Sequence, residues 1–273
     1  MNLAGIIPIA GQRLDYGVPW DDCMMPIAQD YLAVERSIAE CLYAGCQTIW
    51  IVACLEQQPL IRHRLQDRFH DPESFSKLRR GNDTREKEVC LYYIPILERD
   101  YLRRNSVVWS SVFGVLNAHK TTSRLSPLFA PEKYYISFPF GVYHPWEVRN
   151  HRRYLKRKKY QVLLRHNDRT VKDGEYLGLT LTLEEAKALE KHLKDSAYYS
   201  SEKYAAKNFS ISDIYKILPV REDTIYCDIS EYHDISGWDK YQKFLSTHSL
   251  KLNKPYSLFS NKEWHGIGVK EGD

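Results

Sequence analysis

No two cysteines of this 273-residue chain stand at C-x-x-C spacing, which removes the simplest thiolate metal sites and dithiol redox motifs. The six cysteines (Cys23, Cys41, Cys46, Cys54, Cys90 and Cys227) fall mostly in apolar runs, the pattern of reduced, buried thiols in a cytoplasm. No window approaches the roughly 18 to 20 apolar residues of a membrane span, so no membrane partner is expected. The N-terminus lacks the basic start of a secretory signal and runs directly into Pro8 and Gly11. Neither an internal repeat nor a low-complexity linker divides the chain. Charge of one sign is not in excess either: the net charge of +4 does not by itself announce a nucleic-acid binder.

What is present is ordinary in bulk, with 27% charged and 43% apolar residues in 32.1 kDa. That length buries a large core and fits one generous α/β domain. Residues 1–250 are read as that domain and 251–273 as an irregular tail. The order of elements is strand 3–9, helix 28–45, strand 47–54, a short basic helix 58–68, a surface loop 71–86, strand 89–96, helix 104–120 and strand 133–143. Beyond these come a basic helix 146–159, a turn and strand 172–182, helix 183–194, strand 224–229 and helix 236–245. The β-α-β-α-β-α-β alternation of the first 143 residues calls for a mostly parallel sheet with helices on both faces.

The opening strand ends in Pro8-Ile9-Ala10-Gly11-Gln12-Arg13. Ala10 and Gly11 let the backbone turn tightly and approach a ligand closely, and Gln12 and Arg13 supply donors for a phosphate. A strand entering such a loop ahead of a helix is where open α/β sheets hold nucleotides. Pro8, Ala10, Gly11, Gln12 and Arg13 are therefore the candidate nucleotide-binding residues.

Between Arg149 and Lys159 lie seven Lys or Arg residues and no acid. Arg149, Arg152, Arg153, Lys156 and Arg157 follow i, i+3, i+4, i+7 and i+8 spacing, which on a helix gathers five cations on one face. Either they pair with carboxylates elsewhere in the fold or they receive an anionic surface, polynucleotide phosphates being the best fit. Arg62, His63, Arg64 and Arg68 form a second basic cluster.

Taken together, IIPIAGQR, PWDDCMMPI, AGCQTIWIVAC and, near the C-terminus, YHDISGWDKYQKFL resemble the GT-A-fold nucleotidyltransferases. These are the sugar-phosphate nucleotidylyltransferases and their MobA-like relatives, whose fold many nucleotide-sugar glycosyltransferases share. The resemblance covers about two thirds of the chain and implies a GT-A, Rossmann-like sheet. It also implies Mg2+ or Mn2+ held by Asp234, with Asp239 the other carboxylate of the closing segment; capping of the helix near Ser236 is the alternative role for Asp234. Three parts depart from the family pattern. The loop keeps only Ala10 to Arg13 of a G-G-x-G-T-R motif. Trp20-Asp21-Asp22 follow Pro19 where the family places a phosphate-steadying lysine, a loss to be made good by another cation such as Arg13, Arg62 or Arg104. The fourth strand ends SFPFGVYHP, whose one plausible ligand is His144, where the family carries a metal-binding aspartate.

These departures, with the basic helix, favour a glycosyltransferase that moves a sugar from a nucleotide-sugar donor to a hydroxymethylated base in DNA, as in the hypermodification of phage genomes. Asp21, Asp22 or His144 would deprotonate the acceptor hydroxyl, the alternative being a solvated turn for the two aspartates and a loop position for His144, and Arg149 to Arg157 would hold the acceptor phosphates. The alternative is a nucleotidylyltransferase joining a nucleoside triphosphate to a sugar phosphate. A third reading is a catalytically inactive nucleotide-binding protein. Oligomeric state is not legible.

Overall fold

Leu3–Pro8 is buried at all six positions and forms β1, as a continuous apolar run covered on both faces should. The computed structural model describes residues 2–11, 16–18, 20–71, 88–98, 100, 106–199, 209–247 and 250–255. After β1 come a small hairpin, β2 (Pro26–Ala28) and β3 (Tyr31–Leu32), then α1 (Ala33–Ala44), β4 (Thr48–Cys54), α2 (Gln58–Leu65), β5 (Arg68–His70) and β6 (Glu88–Ile96). The middle of the chain supplies α3 (Val107–Leu125), β7 (Lys133–Ile136), β8 (Gly141–Val142), a 3₁₀ turn at Pro145–His151 and α4 (Arg152–Lys156). The remainder gives β9 (Val162–Arg165), β10 (Leu179–Leu181), α5 (Leu183–Tyr199), α6 (Ile214–Ile217), β11 (Ile225–Asp228), β12 (His233–Asp234) and α7 (Trp238–Ser246).

Eight strands make one sheet in the order β11-β9-β10-β7-β1-β4-β6-β5. β7, β1, β4 and β6 are mutually parallel, β9 and β11 run parallel to each other, and β10 and β5 are antiparallel to their neighbours. The α/β sheet expected from the alternation is therefore present. Alternate residues of β1 face opposite sides. Leu3 and Ile7 join Val34, Ile38 and Leu42 of α1 in one core, whereas Ala4 and Ile6 join Val108, Val112 and Val115 of α3 in the other. Gly45 ends α1 at φ 86°, a left-handed stop that glycine adopts without a Cβ penalty.

A polar network lies inside the first core. Glu40 and Arg36 of α1 are both fully buried and pair at 2.9 Å. The Glu40 carboxylate also accepts from Ser137 Oγ and Tyr143 Oη, each at 2.5 Å, and from Tyr135 Oη. Arg36 donates to the Phe138 carbonyl at 2.7 Å. The segment leaving β7 is thereby fixed from below by bonds whose electrostatic strength grows in a low-dielectric interior.

Of the tail expected from residue 251, residues 251–255 lie against the domain. Leu252 is buried, and Lys254 Nζ donates to the Glu35 carboxylate and the Asp30 carbonyl. Residues 256–273, and the expected surface loop from 72 to 86, lie outside the described residues.

Candidate active site

The exit of β1 is held on two sides. The Ile9 and Ala10 amides both donate to the Val52 carbonyl of β4, at 2.9 and 2.8 Å, and Ser110 of α3 donates its hydroxyl to the Ala10 carbonyl. Gly11 rests against the first turn of α3. Gln12, Arg13 and Pro19 lie outside the described residues. Where the chain is described again, the Tyr16 hydroxyl donates to the Ile235 carbonyl, and its ring stands edge-on to Trp238 and Tyr241 at 6.5 and 5.9 Å. Tyr16 thus packs against the turn after β12 and against α7. Burial pushes the Tyr16 phenol far above its ordinary value, and the charges of Asp22 and Asp234 add to this.

Three candidate carboxylates gather here. Asp21 Oδ1 accepts from Gln57 Nε2 at 2.5 Å, just past the end of β4. Asp22 opens a 3₁₀ turn, Asp22–Met24. Asp234 is set by strand pairing: β12 runs antiparallel to β8 with Asp234 opposite Gly141, and the Ile235 amide donates to the Phe140 carbonyl at 2.9 Å. A Cβ at Gly141 would collide with the Tyr176 carbonyl and touch the Tyr232 ring, so only glycine permits this approach. Burial and the Asp234 charge push the Tyr176 phenol up to about 12 and raise that of Tyr232 still further.

Both Asp234 oxygens are engaged. Oδ1 accepts from the Ser236 amide at 2.7 Å, and Oδ2 accepts from Lys240 Nζ at 2.5 Å. The N-cap of α7 is Gly237, so Asp234 closes the turn before the helix instead of capping it. A hard divalent cation takes several oxygen ligands. Among the described residues, no group of three His, Cys, Asp or Glu side chains could hold a metal ion. Lys240 holds the Asp234 oxygen at which the expected Mg2+ or Mn2+ would bind.

Beside Asp234 opens a polar cleft of about 520 Å³, bounded by the turn after β9, by β12 and by α7. Arg169, Glu175, Asp234, Lys240 and Lys243 line it. Arg169 pairs with Glu175 at 2.8 Å, and Asp173 turns back to accept from the Thr170 amide at 2.8 Å. Lys243 forms no ion pair with a described residue. Tyr16, Gln57, Lys240 and Lys243 were not among the sequence candidates. The two lysines carry a weak signal, one turn apart on a predicted helix just after Asp234, while Tyr16 and Gln57 carry none.

His144 stands apart. It precedes the 3₁₀ turn Pro145–His151 with its ring tilted against Trp146 at 6.1 Å, and no contact among the described residues joins it to Asp21, Asp22 or Asp234.

The basic segment corrects the expectation of one cationic face. Arg149 sits in the 3₁₀ turn, Arg152, Arg153 and Lys156 belong to the five-residue α4, and Arg157 is already extended at φ −83°, ψ 124°. The cause is Lys133, fully buried, whose ammonium draws in the carbonyls of Tyr154, Arg157 and Tyr160 at 3.3, 3.1 and 2.6 Å. Those carbonyls would otherwise continue a helix. Arg152 and Lys156 instead lie over Gly45 at the C-terminus of α1, where cations are stabilised, and Arg152 is 3.7 Å from Asp71. Lys133 and Gly45 mark the N-terminal edge of the parallel strands, opposite the carboxylates. The ground for a DNA acceptor at the site is thereby removed. The second cluster is paired too: Arg62 with Asp67, Arg64 with Asp30 and Glu35, and Arg68 with Glu88.

No protein-family model matches the chain, and no curated protein matches it in sequence. Solved structures do match. A protein described as a glucose-1-phosphate thymidylyltransferase from Bacillus anthracis, in complex with sucrose, is 11% identical with a TM-score of 0.57, over 93% of this chain and 98% of the other. UDP-glucose pyrophosphorylase in complex with UDP-glucose is 13% identical with a TM-score of 0.56, over 89% and 97%. Its apo form gives 0.54 at the same identity and coverage. At these identities the likeness is one of fold, and it runs nearly end to end.

Proposed function

We propose that this chain, which has the GT-A-like fold of the sugar-phosphate nucleotidyltransferases, joins a nucleoside triphosphate to a sugar phosphate with release of pyrophosphate. The observation that carries the reading is the convergence, at one edge of the sheet, of the β1 loop, Asp22, Asp234 and a polar cleft lined by Lys240 and Lys243. In this reading the nucleotide lies along Pro8 to Arg13, and the sugar phosphate enters the cleft. A phosphate oxygen of the sugar phosphate attacks the α-phosphorus, the bond from that phosphorus to the bridging oxygen breaks, and pyrophosphate leaves. Catalysis of such a step consists mainly of positioning and charge stabilisation.

The chemistry of the nucleophile supports this over glycosyl transfer. A phosphate monoester, with a second pKa of about 6, is already ionised at neutral pH and needs no general base. The described contacts of His144 tie it to no carboxylate of the site, and Asp21 is committed to Gln57. What the step needs is positive charge, and Lys240 and Lys243 bring it from α7 in place of the lysine missing after Pro19. The glycosyltransferase reading rested on that missing lysine and on a one-sided basic helix.

The test is pyrophosphate release from each of the common nucleoside triphosphates with a panel of sugar 1-phosphates. Release is expected only when both substrates are present, and Asp234→Asn should lower it by roughly 10²-fold or more through loss of the group that orients Lys240. Turnover of a nucleotide sugar onto a hydroxylated acceptor, without pyrophosphate chemistry, would reject the proposal.

A further inference from the structure

We infer that Lys240 and Lys243 form a phosphate-binding pair that works without a divalent cation, Lys240 standing where a metal ion would otherwise neutralise the phosphate. The inference rests on the nucleotidyltransferase reading for the identity of its ligand, a sugar phosphate. It rests on geometry for the site itself.

The two lysines are three residues apart on α7, so their side chains rise from one face of the helix, and both line the cleft of about 520 Å³. That volume admits a monosaccharide phosphate. The acids of the cleft are already engaged: Glu175 with Arg169, Asp173 with the Thr170 amide, and Asp234 with the Ser236 amide and Lys240. His166 is also committed, Nδ1 lying 3.0 Å from the Ile229 carbonyl and Nε2 2.9 Å from the Asn167 amide nitrogen, while His233 Nε2 lies 3.1 Å from Glu231. Lys243 is left as the cation of the cleft with no carboxylate among the described residues. An incoming dianion therefore meets one unpaired ammonium and, one helical turn away, a second held in place by Asp234 and by Ser236 Oγ at 3.2 Å.

The same contacts argue against a metal at this point. A divalent ion at Asp234 would have to displace Lys240 from Oδ2, and among the described residues no group of three His, Cys, Asp or Glu side chains stands ready to hold it. The unbalanced positive charge of the cleft comes from Lys243, and an ammonium ion held by Asp234 and by Ser236 Oγ keeps one N–H donor for a phosphate oxygen. It does so at a fixed position, with no ion to recruit.

Isothermal titration of the full chain with inorganic phosphate and with glucose 1-phosphate, in EDTA and again in Mg2+, tests this. Both ligands are expected to bind in EDTA, with affinity unchanged by Mg2+. Lys243→Met and Lys240→Met should each weaken binding by about tenfold or more. Arg153→Glu, exposed at the opposite edge of the sheet, should bind as wild type. Unfolding in urea checks that each variant is folded, and protection of the two lysines from amine acetylation by bound phosphate gives a second readout. Binding that requires Mg2+, or that survives both lysine substitutions, overturns the inference even if pyrophosphate release is observed. Metal-independent binding lost in the lysine variants, with no pyrophosphate release from any substrate pair, upholds the phosphate site and removes the nucleotidyltransferase reading alone.

Discussion

Glu40 concentrates the consequences of single-residue chemistry in this fold. Its carboxylate is fully buried and receives Arg36, Ser137, Tyr143 and Tyr135. Burial, reinforced by the Glu40 charge, keeps the phenols of Tyr135 and Tyr143 far above their ordinary value, so both remain donors. Glu40→Gln removes the charge that balances Arg36 and replaces an acceptor oxygen by an N–H group facing hydroxyl donors. Stability in urea is expected to fall by about 3 to 5 kcal/mol, the range for a broken buried ion pair. A loss below about 1 kcal/mol, the value of an exposed pair, would show the network to be dispensable. Only the i, i+4 spacing of Arg36 and Glu40 was legible in the sequence; Tyr135, Ser137 and Tyr143 lie about a hundred residues away.

Among the elements, α4 shows how a side chain from elsewhere can end a helix that spacing alone would extend. Lys133 enters from the start of β7 and gathers three carbonyls, so the segment turns after Lys156. Burial pushes the Lys133 ammonium down to about 8 from an ordinary 10.5, partly offset by Glu185. Below pH 8 folded and unfolded chains both hold this proton. Between about 8 and 10.5 the unfolded chain retains a proton that the folded chain has released, so stability attributable to Lys133 rises with pH across that window. The difference in urea stability between wild type and Lys133→Met should therefore increase from pH 7 toward pH 10. A flat or falling difference would show that burial does not lower the Lys133 ammonium. The same Lys133 explains why Arg149 to Arg157 read as one cationic stripe in the sequence, since nothing within that run signals an ammonium arriving beneath it.

For the whole molecule, the decisive feature is the position of β1 between β4 and β7. It places the end of the first strand beside Gln57 and, through the β8–β12 pair, beside Asp234. Tyr16 meets the turn ahead of α7 there, across 219 residues of chain, at the Ile235 carbonyl. Trp238, 40% exposed and 6.5 Å from the Tyr16 ring, reports on this closure. Addition of a nucleoside triphosphate is expected to change tryptophan emission, and Trp238→Phe should abolish most of that change while leaving the fold intact. A signal undiminished in the variant would place the nucleotide away from the β1 loop.

Strand and helix identity follow from local pattern. Leu3 to Ile9 and Thr48 to Cys54 are apolar enough to be covered on both faces, and Gly45 halts α1 by a conformation that glycine favours, so the parallel α/β framework is written in neighbouring residues. The site is not, because charge carries no address along the chain. Asp234 and Lys240 are joined by a turn through Ser236 and Gly237 that neither helical nor strand spacing describes, and the basic run after Arg149 is broken at the far edge because Lys133 binds the carbonyls of Tyr154, Arg157 and Tyr160. Burial and long-range hydrogen bonds, which depend on residues distant in sequence, assigned those groups their places.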